Sequence, residues 1–169
     1  MQIEIRPAQP GDYAAVHAIN EASVPHVTHV SRDELVEFAQ QCFYFRIAVD
    51  GGKCLGFLMA MRPGEAYESP HYQWFSRAYD NFVYVDRIAV ASDGKGRGIG
   101  RALYEDLERE VKPDAKLITC EVNLLPPNPD SFAFHTRLGF AEVGQLESEG
   151  GKKKVSLMAK NLEPANPRH

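Results

Sequence analysis

The run FVYVDRIAVASDGKGRGIGR, residues 82–101, decides the fold. FVYVDRIAV is an apolar, β-prone stretch that reads as a well-buried strand. DGKGRGIGR then places glycines at 94, 96, 98 and 100, with Lys95, Arg97 and Arg101 between and after them. Ile99, Leu103, Leu107 and Val111 recur at helical spacing, and Pro113 ends that helix. KLITCEV, from residue 116, is strand again. A strand–helix–strand unit implies parallel pairing in that part of the sheet. The glycines let backbone approach a partner closely, and the helix start concentrates open N–H groups and positive dipole, which favours an anion.

Two nucleotide motifs fail on spacing. A P-loop needs G-x-x-x-x-G-K-[ST], but Lys95 lies inside the glycine ladder and no Lys-Ser/Thr follows it. The dinucleotide fingerprint G-x-G-x-x-G ends on Ile99 when counted from Gly94 and on Arg101 when counted from Gly96. The pattern that fits is x-x-x-G-x-G, Lys95-Gly96-Arg97-Gly98-Ile99-Gly100, opening a helix after a strand. A second block, NPDSFAFHTRLGF at 128–140, fits N-x-x-[AS]-x-x-F-Y-x-x-x-G-F at Asn128, Ser131, Phe134, Gly139 and Phe140.

These two blocks, in this order, resemble the GNAT superfamily of acyl-CoA-dependent N-acetyltransferases. The resemblance implies a mixed α/β fold, a mostly antiparallel twisted sheet of about seven strands flanked by about four helices. It implies acetyl-CoA as cofactor, with the pyrophosphate of coenzyme A held by backbone amides of Lys95, Gly96, Arg97, Gly98, Ile99 and Gly100, and with Arg101, Asn128, Ser131 and Phe134 nearby. It further implies that the strand donates a backbone N–H near Ile88, Ala89 and Val90 to the thioester carbonyl, stabilising an oxyanion. Lys95 stands where the family has Gln or Arg, and His135 where it often has Tyr. That Tyr is commonly cast as the acid that protonates the departing thiolate. Imidazole can do this work near neutrality; alternatively His135 packs as an aromatic spacer beside the cofactor.

The acceptor must be a neutral amine when it attacks. Asp86 stands two positions before Ile88 and two after Tyr84, so strand alternation expects all three on one face. Glu121 and Asn123 are paired in the same way on the next strand. Asp86 or Glu121 can take the amine's proton or hold its ammonium group; Asp86 can equally pair with Arg87. Residues 62–81 read as a long loop whose Tyr67, Tyr72, Trp74 and Phe75 either wall the acceptor site or form a lid-like small core of their own. Glu21, at the end of the first helix, lies where the family builds its acceptor pocket. The substrate-contacting candidates are thus Glu21, Tyr67, Trp74 and Tyr84.

The remaining chain reads as follows. QIEIR is a strand, broken by Pro10-Gly11-Asp12, with Asp12 capping a helix to about Ala22 that buries Val16 and Ile19. Ser31 to Glu34 has capping-box spacing and opens a second helix. CFYFRIAV and KCLGFLMAM flank Asp50-Gly51-Gly52 as a hairpin. Asn128 or Asp130 starts the helix that stops at Gly139, and FAEVGQL and KKVSLMAK form a terminal hairpin. Residues 1–162 form one acetyltransferase domain, and 163–169 are a tail.

With 169 residues, 44% hydrophobic composition and a net charge of −4, the chain has an ordinary globular makeup and no general nucleic-acid footprint. It has no apolar run for a membrane span and no signal-peptide layout. Cys42, Cys54 and Cys120 form no CxxC pair, so reduced thiols and a cytoplasmic location are expected. Cys120 reads as core. His26 and His29 lack a nearby third ligand, so no metal site is expected. Lys152, Lys153 and Lys154 read as edge-strand protection. Exposed strand edges allow a homodimer. The function read from all this is acetyl transfer from acetyl-CoA to a primary amine of a small metabolite, by direct attack in a ternary complex. A protein Lys or N-terminal amine is the alternative acceptor, and a coenzyme A-binding regulatory module without turnover is the alternative class.

Overall fold

A computed structural model describes residues 2–162. The residues 163–169, expected as a tail, lie outside it. The chain runs β1 (Glu4–Pro7), α1 (Tyr13–Ala22), α2 (Arg32–Gln41), β2 (Tyr44–Asp50), β3 (Lys53–Met61), α3 (Pro70–Ala78), β4 (Val83–Val90), α4 (Ile99–Val111), β5 (Leu117–Leu125), α5 (Pro129–Arg137), β6 (Ala141–Ser148) and β7 (Lys153–Asn161). The strands form one sheet in the order β1-β2-β3-β4-β5-β7-β6, and only β4 and β5 run parallel. The mixed, mostly antiparallel α/β sheet expected from the sequence is the fold.

Local chemistry accounts for the elements. Gly51 (φ 59°) and Gly52 (φ 82°) turn β2 into β3, with Asp50 opposite Lys53, the two-residue hairpin that positive φ at both positions permits. Ser31 and Glu34 close a capping box on α2. Asp12 does not cap α1 with its side chain; its carboxylate instead accepts from the Gln9 amide at 2.8 Å and pairs with Arg6 at 2.8 Å.

The expected 62–81 loop is corrected by α3. Ser69 caps it by accepting from the Tyr72 amide, and Pro70 occupies its first turn. Aromatic residues are poor helix formers by themselves. Here Tyr72 and Phe75 are almost fully buried against Met61, Phe82, Tyr84 and Leu157, and that packing outweighs the propensity. The described residues hold five α-helices, in keeping with the expected fold of about four.

Three apolar clusters hold the layers. Ile99, Leu103, Leu107 and Val111 of α4 pack with Leu58, Val85 and Ile118 on one face of the sheet. On the other face α1 and α2 bury Val16, Ile19 and Leu35 against Ile47, Phe57 and Met59. The third cluster is the one beneath α3.

Two irregularities make room for a site. The β4–β5 ladder has only the pairs Val83–Ile118 and Tyr84–Thr119, so the sheet splits beyond Tyr84. In β4, Arg87 pairs with Met59 and Val85 with Ala60, leaving Asp86 as the extra residue of a bulge. The bulge reverses the alternation. Tyr84 lies in the cluster under α3 while Ile88 packs on the α4 side, so Tyr84, Asp86 and Ile88 do not share a face as expected.

Candidate functional site

A cleft of about 1220 Å³ follows the split. One end is walled by β4 from Ile88 to Val90, the glycine loop, the start of α4, and Asn128, Ser131, Phe134 and His135 of the α5 region. The other end is walled by residues 22–28 after α1, by Tyr67 and His71, by Asp86, Glu121 and Asn123, and by Ser148, Glu149 and Lys153 at the β6–β7 tip.

Gly96 and Gly98 both have φ of 77°, a left-handed conformation open to glycine at little steric cost. Gly98 is the N-cap of α4 and no side chain caps the helix. The first intrahelical bond from this cap is the Ala102 amide onto the Gly98 carbonyl, so the amides of Ile99, Gly100 and Arg101 stand open at the cleft. A Cβ on Gly100 would stand 2.9 Å from Phe134 Cζ, so this glycine also lets α4 close on α5. Lys95 and Arg101 line the cleft. Arg97 does not: its guanidinium turns back to pair with Asp50. The alternating ladder points successive side chains to different sides.

His135 is buried within the cleft wall. Its Nδ1–H donates to the Ser131 carbonyl at 2.8 Å, which leaves Nε2 to accept from the Tyr104 hydroxyl at 2.8 Å. Burial holds its pKa below the ordinary imidazole value, opposed by the bond to Ser131. The ring is thus a neutral Nδ1–H tautomer packed edge-on to Tyr104, Phe134 and Phe140. Cys120 is buried on the neighbouring strand, its thiol pushed well up by burial.

The end walled by residues 22–28 and the start of α3 carries Asp86 and Glu121 and is tightly braced. Asp86 Oδ1 accepts from the Tyr67 hydroxyl at 2.5 Å and Oδ2 from Arg87 Nε at 2.8 Å. Arg87, itself buried, also donates to Asn20 Oδ1 (3.0 Å) and to the carbonyl and hydroxyl of Thr28 (3.2 and 3.3 Å). This ties the 22–28 wall to β4. Asn123 donates to the Pro25 carbonyl at 3.0 Å and holds the same wall from β5. Glu121 accepts the Tyr84 hydroxyl on both oxygens (2.9 and 2.8 Å), and its Oε1 lies 3.1 Å from His71 Nδ1. Burial drives the Tyr84 phenol well above its ordinary pKa.

Several expected contacts are corrected. Tyr84 reaches the cleft only through Glu121, because it points into the α3 cluster. Trp74 faces away: its ring sits where a Cβ on Gly144 would be 2.7 Å from Cζ2, on the outer strand β6. Glu21, in the last turn of α1, turns to Asn20 and His29 rather than into the cleft. Lys153 and Lys154 begin β7, an inner strand, so they do not guard an edge; Lys153 is on the cleft wall. His71 and Tyr104, both on the wall, were not anticipated. Tyr104 was legible beside the α4 stripe, whereas His71 became visible only with α3.

The sequence profile described as the Acetyltransferase (GNAT) family matches residues 13–140. No curated protein matches the chain by sequence. Among solved structures, the ribosomal-protein-S18-alanine N-acetyltransferase from Escherichia coli superposes with a TM-score of 0.73 at 18% identity, covering 99% of both chains. An N-acetyltransferase from Staphylococcus aureus gives 0.72 at 20% identity, over 96% of this chain and all (100%) of the other. NAA60 from Arabidopsis thaliana, in complex with a bisubstrate analogue, gives 0.75 at 20% identity, over 95% and 98% of the two chains.

Proposed function

Because the chain belongs to the GNAT family of acetyltransferases, we propose that it carries an acetyl group from acetyl-CoA to the primary amine of a small molecule by direct attack in a ternary complex. The observation that carries this reading is the split between β4 and β5, with open amides at one end and bonded carboxylates at the other. The glycine loop fits a pyrophosphate. Two left-handed glycines and an uncapped helix start present N–H groups to an anion, with Lys95 and Arg101 beside them. Acetyl-CoA supplies the activated thioester carbonyl when bound. On the edge of β4 turned away from β3, the N–H groups of Ile88 and Val90 on either side of Ala89 can donate to that oxygen, and Asn128, Ser131 and Phe134 complete the wall.

The roles divide by what each group already does. Glu121 draws an ammonium group to the acceptor end. Asp86 has both oxygens engaged and serves to brace the wall through Arg87 and Tyr67. The neutral tautomer of His135, bonded at both nitrogens, supports the packing role rather than the acid role.

The acceptor end is enclosed by three segments: residues 22–28, the start of α3 and the β6–β7 tip. Such a chamber suits a small amine. A polypeptide N-terminus is the second reading, since the Escherichia coli neighbour is by name an alanine N-acetyltransferase of a ribosomal protein. The test is thiol release from acetyl-CoA in the presence of amino acids, polyamines and short peptides with free N-termini. Release with free amines and not with peptides is the expected result. Release with peptides alone reverses the choice of acceptor. No release with any amine, despite measurable acetyl-CoA binding, leaves a coenzyme A-binding module.

A further inference from the structure

The acceptor end holds a side-chain pair that the family resemblance did not point to. His71 stands in the first turn of α3, on the cleft wall, with a side chain only 16% exposed. Its Nδ1 lies 3.1 Å from Glu121 Oε1. Glu121 is anchored from the opposite strand by Tyr84, whose hydroxyl lies within 3 Å of both carboxylate oxygens. A carboxylate only accepts, so His71 Nδ1 is the protonated nitrogen and Nε2 carries the lone pair. Glu121 fixes the tautomer and would stabilise an imidazolium, the logic by which a buried carboxylate orients a histidine base. The other candidate bases are occupied: both oxygens of Asp86 and both nitrogens of His135 already have partners.

We propose that His71 is the general base of the transfer, with Glu121 as its positioning residue and Tyr84 as the anchor of Glu121. This rests on the transferase reading above and deepens it. An acceptor ammonium bound at this end loses a proton to His71 Nε2. The N–H bond breaks, its electron pair remains on the amine nitrogen, and a new N–H bond forms on the imidazole. The nitrogen pair then forms the bond to the thioester carbon, and the C–S pair leaves with sulfur. The second proton shed by the acylated nitrogen balances the thiolate.

The other titratable and charged groups at this end are His26, Tyr67, the Asp86–Arg87 pair, Glu149 and Lys153, with Tyr84 behind Glu121. The test compares wild type with His71→Gln and Glu121→Gln, using the most active amine from the panel. His71→Gln should lower kcat/KM for the amine about 100-fold or more at neutral pH, the scale of lost general-base assistance, with the KM for acetyl-CoA unchanged. The deficit should shrink as pH approaches the amine's own pKa, where free amine forms without help. Glu121→Gln should give a smaller loss with the same pH trend. Activity of His71→Gln within about threefold of wild type at neutral pH overturns the proposal. Imidazole nitrogen NMR of the wild type adds a readout that needs no acceptor. The Nδ1–H tautomer at His71 is expected, becoming mixed in Glu121→Gln; an Nε2–H tautomer in the wild type overturns the dyad. A wild type inert toward every amine overturns the transferase reading instead, and the tautomer still decides whether the dyad exists.

Discussion

Replacing Asp86 by Asn should unfold this protein more readily while leaving its chemistry in reach. Arg87 and Asp86 are each 4% exposed at the side chain and meet at 2.8 Å. Every other acceptor of Arg87, Asn20 Oδ1 and two oxygens of Thr28, is neutral. A guanidinium does not deprotonate in a protein. Removing the carboxylate charge therefore strands a buried cation, which costs about 3–5 kcal/mol. For a chain of this size each kcal/mol moves the unfolding midpoint about 2–4 °C, so the expected fall is roughly 6–20 °C. Arg87→Met should cost a comparable amount by stranding Asp86. The double variant has neither charge and should recover part of the loss, giving a coupling of about 2 kcal/mol or more in a thermal or urea double-mutant cycle. Assayed at a temperature where all variants are folded, Asp86→Asn should retain measurable turnover. Coupling under about 0.5 kcal/mol, or an unchanged midpoint with turnover abolished, would refute the bracing role and put Asp86 at the proton.

Gly98→Val, placed where φ is 77°, should cost about 1–2 kcal/mol and weaken acetyl-CoA binding measured by calorimetry, because the cradle must distort. Equal affinity would show that the glycine amides do not hold the pyrophosphate. His135 is held neutral below its ordinary value of 6.5 by burial. Below that value the unfolded chain binds a proton that the folded one does not, so this contribution is complete above it and is lost as pH falls from it through the lower folded-state value. His135→Phe should therefore flatten the acid side of the midpoint-against-pH curve. It should also lower the midpoint at all pH, since the Tyr104 hydroxyl loses its acceptor at about 1–3 kcal/mol. An acid limb as steep as in wild type would contradict the neutral tautomer.

The parts legible from sequence were those governed by short-range rules. Positive φ at the Gly51-Gly52 turn, the Ser31 box and the α4 stripe each follow from residue types at fixed offsets. The left-handed glycines and the uncapped start of α4 followed in the same way. What escaped depends on contacts distant in sequence. α3 forms because Tyr72 and Phe75 find Phe82 and Leu157, which no local propensity foretells. The Asp86 bulge is a register event between β3 and β4, invisible in either strand alone, and it undid the expected common face of Tyr84 and Ile88. His71 was hidden with α3, although Tyr67, Asp86 and Glu121 beside it were singled out.

The separation of β4 from β5 after two ladder pairs has a further consequence. An outer strand edge offers its unpaired amides and carbonyls to any passing chain. Here two edges face each other inside a single sheet, roofed by α3 on one side and by α4 and α5 on the other. Steric access, more than side-chain chemistry, then filters what can use those backbone groups. A slender, flexible molecule can thread between them, while a folded neighbour is too wide. The protein keeps a reactive sheet edge at its centre without advertising it to the crowd outside.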